Sequence, residues 1–163
     1  RRVLFRSVEE LRKNKILEFK NKSKESNSKY IRIPILGVVA AGNPSYACEN
    51  ILDNIYLPKG NFSSSFTYFG LKVKGDIMNE LFEDGEVIII RKTSLVHNDD
   101  IVIAFVGDEA TCKEYYYDGN NNNINLIPHS TNSKHKKQVY SVDEVKIIGL
   151  VEGSLNDFLD SYI

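Results

Sequence analysis

The sequence predicts a mainly β domain of mostly antiparallel strands behind a short N-terminal helical arm. Three observations predict it. Eight short segments rich in β-branched and aromatic residues follow residue 29, each bounded by turn-forming residues. No helical pattern separates them, which argues against a parallel α/β sheet. Before residue 30 the pattern is a basic, thinly apolar stretch that opens on a capping signal.

In chain order, Ser7 followed by Glu10 is a capping-box pattern and opens "VEELRKNKILEFK" as a helix. Val8, Leu11, Ile16 and Phe19 give that helix a narrow apolar stripe. "NKSKESNSK" (21–29) has no apolar anchor and is expected to be a flexible linker. Strands are expected in "YIRIPILGVV", "NIYLP", "FTYFGLKVKG", "EVIIIRK", "DIVIAFV", "EATCKEYYY", "NINLIP" and "EVKIIGLVEG". "DGNNNN" (118–123) suits a hairpin connection, because Asn and Gly tolerate positive φ. The expected division is an arm and linker over 1–32 and one domain over 33–163, a length that supports a well-packed core.

Composition excludes several classes. No apolar run approaches the roughly 18 residues of a membrane helix, and "RRVLFRSVEELRKNK" lacks the apolar stretch of a signal peptide. Cys48 and Cys112 lie far apart without metal-like spacing, and the three histidines (97, 129 and 135) are scattered. Reduced thiols, a cytoplasmic location, and neither metal nor cofactor are expected. The net charge of −1 hides an asymmetry: residues 1–29 carry ten Lys/Arg against four Asp/Glu, and residues 30–163 carry eleven against eighteen. A basic arm before an acidic domain is compatible with nucleic-acid contact, but the favoured reading is a solvated helix and linker.

The informative stretch is "VKGDIMNELFEDGEVIII" (73–90). It reads as a strand, a tight turn, one helical turn, and a second strand entered through Asp84-Gly85. A Gly-Asp-x-Met turn, here Gly75, Asp76 and Met78, presents the side chain at x, and x is Ile77. A hydrocarbon stands where a reactive group is expected. Read without further context, 77–82 is a core-packed turn with Ile77, Leu81 and Met78 directed inward.

Together with "VVAAGNP" (38–44) and "EATCKEYYY" (109–117), that stretch resembles the LexA/UmuD-type self-cleaving repressors, three motifs in the family's order over about residues 33–153. "INLIPHSTN" is similar to the segment that follows the family's lysine. The resemblance implies a LexA C-terminal-like β domain in which an Ala-Gly bond of a mobile loop enters its own domain's cleft and is cut. Ala41-Gly42 matches that bond, and the loop 38–48 is expected to swing between docked and free positions. A Ser in the turn is the family's nucleophile and a neutral Lys its base. Lys113 matches the base and Ile77 the nucleophile position, so the chain is expected to be inactive as written. A lysine with an ordinary pKa of about 10.4 costs roughly 4–5 kcal/mol to hold neutral near pH 7, and burial in an apolar cleft acts in that direction. Taken alone, Lys113 reads as a strand-surface lysine with its head in solvent.

The resemblance further implies a homodimer, a RecA filament as cleavage trigger, and operator binding only through a helix-turn-helix domain. The roughly forty residues before Ala41 are expected to be too few for that domain, which needs three packed helices. "VKIIGLVEG" (145–153) is the expected dimer strand, with a buried inner strand as the alternative. Two other readings stand beside the repressor domain: a non-catalytic interaction module, and a signal-peptidase-like protease. The last shares the turn and the lysine strand but is expected to carry a membrane anchor.

Overall fold

In the computed structural model, which describes residues 7–25, 29–37 and 51–163, the Ser7 hydroxyl accepts the Glu10 N–H at 3.1 Å and so starts helix α1 (Val8–Glu25). The helix runs five residues into the expected linker. Residues 21–25 are helical because Ser23 is buried and donates to the Lys20 carbonyl at 2.7 Å. Lys22 and Lys24 in the last turn also oppose the negative end of the helix dipole. Phe19 is buried on the domain, its ring 5.7 Å from Tyr30 and edge-on to Tyr162 at 5.3 Å.

Nine strands follow among the described residues: β1 (Tyr30–Leu36), β2 (Ile51–Pro58), β3 (Tyr68–Lys72), β4 (Val87–Lys92), β5 (Ile101–Val106), β6 (Glu109–Asp118), β7 (Asn123–Ile127), β8 (Gln138–Ser141) and β9 (Val145–Ser154). Helix α2 (Leu155–Asp160) closes the chain, with the Ser154 hydroxyl accepting from the Asp157 N–H. The strands form one sheet in the order β2-β1-β3-β4-β9-β5-β6-β7-β8. All neighbours are antiparallel except β1 and β3, which run parallel where Ile35 meets Gly70 and Leu36 meets Leu71.

β9 joins two half-sheets. Its first part pairs with β5 through Val145–Leu150, and its second part pairs with β4 through Gly149–Ser154. Only Gly149 and Leu150 are paired on both sides. The pairing skips Glu152 between Ile89 and Ile90 of β4, and Ile148 between Ile103 and Ala104 of β5, so both bulged residues lie in β9 and bend it where it passes from one half to the other. The expected dimer strand is therefore an inner strand, and what stays open is its flank beside Val145–Ile148, on the β4 side.

Alternation along the strands builds two cores. Ile88 and Ile90 enter a cluster with Leu36, Phe69, Met78, Phe82, Ile103, Phe105 and Ile148, drawn from both half-sheets. Ile89 points the other way, into a cluster with Phe19, Ile33, Ile35, Ile55, Leu57, Tyr68, Leu155 and Leu159 that α1 and α2 cover. Both faces of β4 are buried, which explains an unbroken Ile-Ile-Ile where a half-exposed strand would alternate.

Candidate active site

The turn at 75–82 leaves the sheet and returns within a few residues. Val73 N–H donates to the Glu86 carbonyl and Gly85 N–H to the Val73 carbonyl, each at 2.8 Å. Gly75 and Gly85 adopt φ of 81° and 86°, a region that favours glycine, and this lets the chain reverse at both ends. The Asp84 carboxylate accepts the Gly75 N–H at 2.8 Å and locks the exit to the entry. Met78 and Phe82, four residues apart and so on one side of the turn, are buried in the core. Ile77 packs against the edge of the same core, half-buried. Leu81, expected inward, is 45% exposed; the Met78/Phe82 pair takes the inner side.

Ile77 and Met78 form one wall of a cleft of about 400 Å³. Leu71, Val73 and the neighbouring lysines 72 and 74 continue that wall, Ile88 and Ile103 lie behind it, and Ala110, Thr111 and Cys112 stand opposite. Gly37 lines the cleft too, so the chain passes into residues 38–50 from its rim. Ala41, Gly42 and the expected loop 38–48 lie outside the described residues, as does Cys48. Both walls have strand edge to spare. Among the described residues, β7 pairs with β6 only from Glu114 onward, which leaves Ala110–Cys112 unpaired on that side, and β1 pairs with β3 only at Gly70 and Leu71. An extended peptide can lie between such edges and bond to either.

Lys113 is 6% exposed, one of three buried polar residues among those described, and not the solvated strand lysine that its position alone suggests. In the β5–β6 ladder Lys113 stands opposite Val102 and Cys112 opposite Ile103. Their side chains therefore leave opposite faces of the strand. Cys112 joins the core that Ile77 packs against, while the Lys113 ammonium turns back along its own face and donates to the Thr111 hydroxyl. Thr111 lines the cleft, so the lysine reaches it through one hydrogen bond. Burial holds the Lys113 pKa below its ordinary value, with Cys112 pulling weakly the other way. Burial pushes the Cys112 thiol up to about 12. Of the two neighbours, the lysine is the one made easier to deprotonate.

Asp76 does not face the cleft. Its carboxylate pairs with His135 Nε2 at 2.7 Å and accepts from Asn132 Nδ2 at 3.1 Å, contacts that hold its pKa below the usual carboxylate range, His135 first. The segment 129–135 clasps the whole turn. Ser130 Oγ donates to the Asp76 carbonyl at 2.6 Å, Asn79 and Thr131 exchange two bonds, Glu80 N–H donates to the His129 carbonyl, and His129 is itself tied to Glu114 on β6 at 2.7 Å. Only the resemblance of "INLIPHSTN" pointed to these residues, and to no role for any of them. The two-residue spacing of Thr111 and Lys113 was the readable signal for Thr111, since it places both on one strand face.

The buried lysine carries a stability cost with a definite sign. A pKa lower in the folded than in the unfolded chain means that the native state bears the penalty of a buried ammonium at low and neutral pH, and sheds it as pH rises toward 10.5. Lys113→Met is expected to stabilise the fold by about 1 kcal/mol at pH 7 and by progressively less as pH rises to 10.5. Denaturant titrations at the two pH values check this; an equal effect at both would remove the buried-charge explanation.

A curled, mainly β sheet with a buried lysine beside a cleft, faced by a clasped Gly-Asp-x-Met turn, defines a domain of the self-cleaving repressor class, a LexA-like C-terminal domain. The chain belongs to the Peptidase S24-like family, whose model matches residues 34–152. It is similar to the LexA repressor of Carboxydothermus hydrogenoformans, 40% identical over 129 residues that make up 78% of this chain and 61% of that one. The LexA repressor of Desulforamulus reducens is 39% identical over 132 residues, 80% of this chain and 58% of the relative. That of Ruminiclostridium cellulolyticum is 32% identical over 152 residues, 91% and 68%. The chain thus spans about three fifths of the length of the first two relatives.

Proposed function

We propose that residues 33–163 are the dimerisation and self-cleavage domain of a LexA-like transcriptional repressor of the DNA-damage or phage type, preceded by the arm at 1–32. Its bond is Ala41-Gly42, its base is Lys113, and Ile77 occupies the nucleophile's place, so the chain as written does not cut. One observation carries the reading: a lysine buried with no carboxylate partner among the described residues, bonded to Thr111 on the wall of the cleft that Ile77 lines. A structural surface lysine has no reason to be there. Lowering a lysine's affinity for its proton is what a general base requires. The unpaired strand edges of the cleft and the place of Gly37 in its lining support a chain segment as the occupant. RecA filaments fit as the trigger, by favouring the docked loop.

Replacing Ile77 with Ser and incubating the protein between pH 7 and 10 tests this. Two fragments meeting at Ala41 and Gly42 are expected in the mass spectrum. A folded protein that stays whole would favour the non-catalytic interaction module instead, a reading that the packing of Ile77 against the core also supports. The same domain is proposed to form a two-fold dimer through the open flank of β9 at Val145–Ile148. Ile147→Asp is expected to shift sedimentation at tens of micromolar toward the monomer. An unchanged dimer would move the interface elsewhere.

A further inference from the structure

Cleavage of a loop releases nothing unless the two sides of the cut are held only by that loop. Ala41-Gly42 lies in the connection between β1 and β2, and these strands are partners in a seven-position antiparallel ladder from Tyr30–Pro58 to Leu36–Ile51. Cutting the connection of a hairpin leaves its ladder in place. β1 is bonded on its other side to β3 as well, and Ile33, Ile35 and Leu36 are buried in the two cores. Upstream of it, α1 adds Phe19, buried among Tyr30 and Tyr162, and Arg12, whose guanidinium grips the Asp160 carboxylate of α2 with two bonds at 2.8 and 2.7 Å.

We infer that the product of cutting at Ala41-Gly42 is a nicked, non-covalent complex, in which residues 51–163 are a docking surface for the chain's own N-terminal fragment. The surface has two parts. One is the slot between β2 and β3 that β1 fills. The other is the face of α2 and β2 on which α1 rests. This rests on the proposed cleavage position but not on the chemistry of the cut. Separation of the halves then requires a second event that pulls β1 out of the sheet, an unfolding step instead of simple diffusion. Whatever is joined to the N-terminal side of α1 stays attached to the domain until that event. Cleavage and release become separable steps, each open to its own control.

The test uses the full chain with a site-specific protease sequence inserted between Ala41 and Gly42, so that the nick does not depend on Ile77 or Lys113. After complete cutting, shown on a denaturing gel, the protein is diluted to low micromolar and examined by native mass spectrometry and gel filtration. One species at the parental mass, holding both fragments, is expected. Free N-terminal fragment, with residues after the nick soluble or precipitated, would overturn the inference. The double variant Arg12→Ala/Phe19→Ala weakens only the helical part of the surface and leaves the ladder intact. It is expected to hasten fragment exchange against labelled fragment by on the order of a hundredfold. An unchanged exchange rate would overturn the role given to α1. Failure of the Ile77→Ser chain to cut itself would leave both results standing.

Discussion

Cutting of the Ile77→Ser chain is expected to accelerate about tenfold for each pH unit until Lys113 has lost its proton, and then to level off. The attacking hydroxyl must give up its proton as it bonds to the Ala41 carbonyl, and only an unprotonated amine can take it. The plateau therefore reports the lysine's pKa in the folded chain, displaced below the ordinary 10.5 by burial. Adding Lys113→Ala should remove the pH dependence and lower the rate by roughly 100- to 10,000-fold. Nucleophile and base act as a unit, so the double variant should be as inactive as the parent, and not merely the product of two separate losses. Thr111→Val is an intermediate case. It deletes the one hydrogen-bond partner of the lysine amine among the described residues and is expected to cost on the order of tenfold in rate, with the plateau shifted. A pH-independent rate in the Ile77→Ser chain would mean that some group other than Lys113 accepts the proton.

The elements that carry Ile77 and Lys113 were legible as local patterns: a turn between two strands, and a lysine on a strand otherwise rich in aromatics. The face that each would present was not. Helical-turn parity sends Ile77 and Leu81 inward together, yet Met78 and Phe82 occupy the core and Leu81 is exposed. The clasp by 129–135 was hidden for a different reason. Its bonds connect residues more than fifty positions apart through short polar side chains, and such pairings leave no periodicity. β8 and α2 are four and six residues long, too short to show a pattern. The change of partners along β9 depends on two bulges in β9 itself, at Ile148 and Glu152, for which "VKIIGLVEG" carries no periodic signal, except for one glycine.

That glycine is Gly149, and Gly149→Ala is expected to cost about 3 kcal/mol, the upper part of the range for overpacking. The residue sits at the joint of the half-sheets, opposite Lys92 on β4 and Ile103 on β5. A Cβ placed there would stand 2.3 Å from Ile90 Cγ2 and 2.9 Å from the Arg91 carbonyl oxygen. The oxygen belongs to the backbone of β4 and has no rotamer to escape into. The Ile90 methyl belongs to a fully buried, β-branched side chain that is stiff at χ1. Relief comes only by moving β4 away from β9, which loosens the pairing that holds the halves together. For a domain of this size such a loss lowers Tm by about 6–12 °C. Gly60→Ala is the control: nothing lies within 4 Å of its Cβ position, and a change within about 0.5 kcal/mol is expected. Thermal melts of the two variants separate contact at the joint from the general effect of replacing a glycine. The joint also sets the cleft, since β4 supplies Ile88 and β5 supplies Ile103 to it. In the Ile77→Ser background, Gly149→Ala should therefore slow cutting even at 25 °C where the protein is still folded. A variant as stable as its parent would mean that β9 has slack at the joint, and that the bend between the half-sheets does not depend on this close approach.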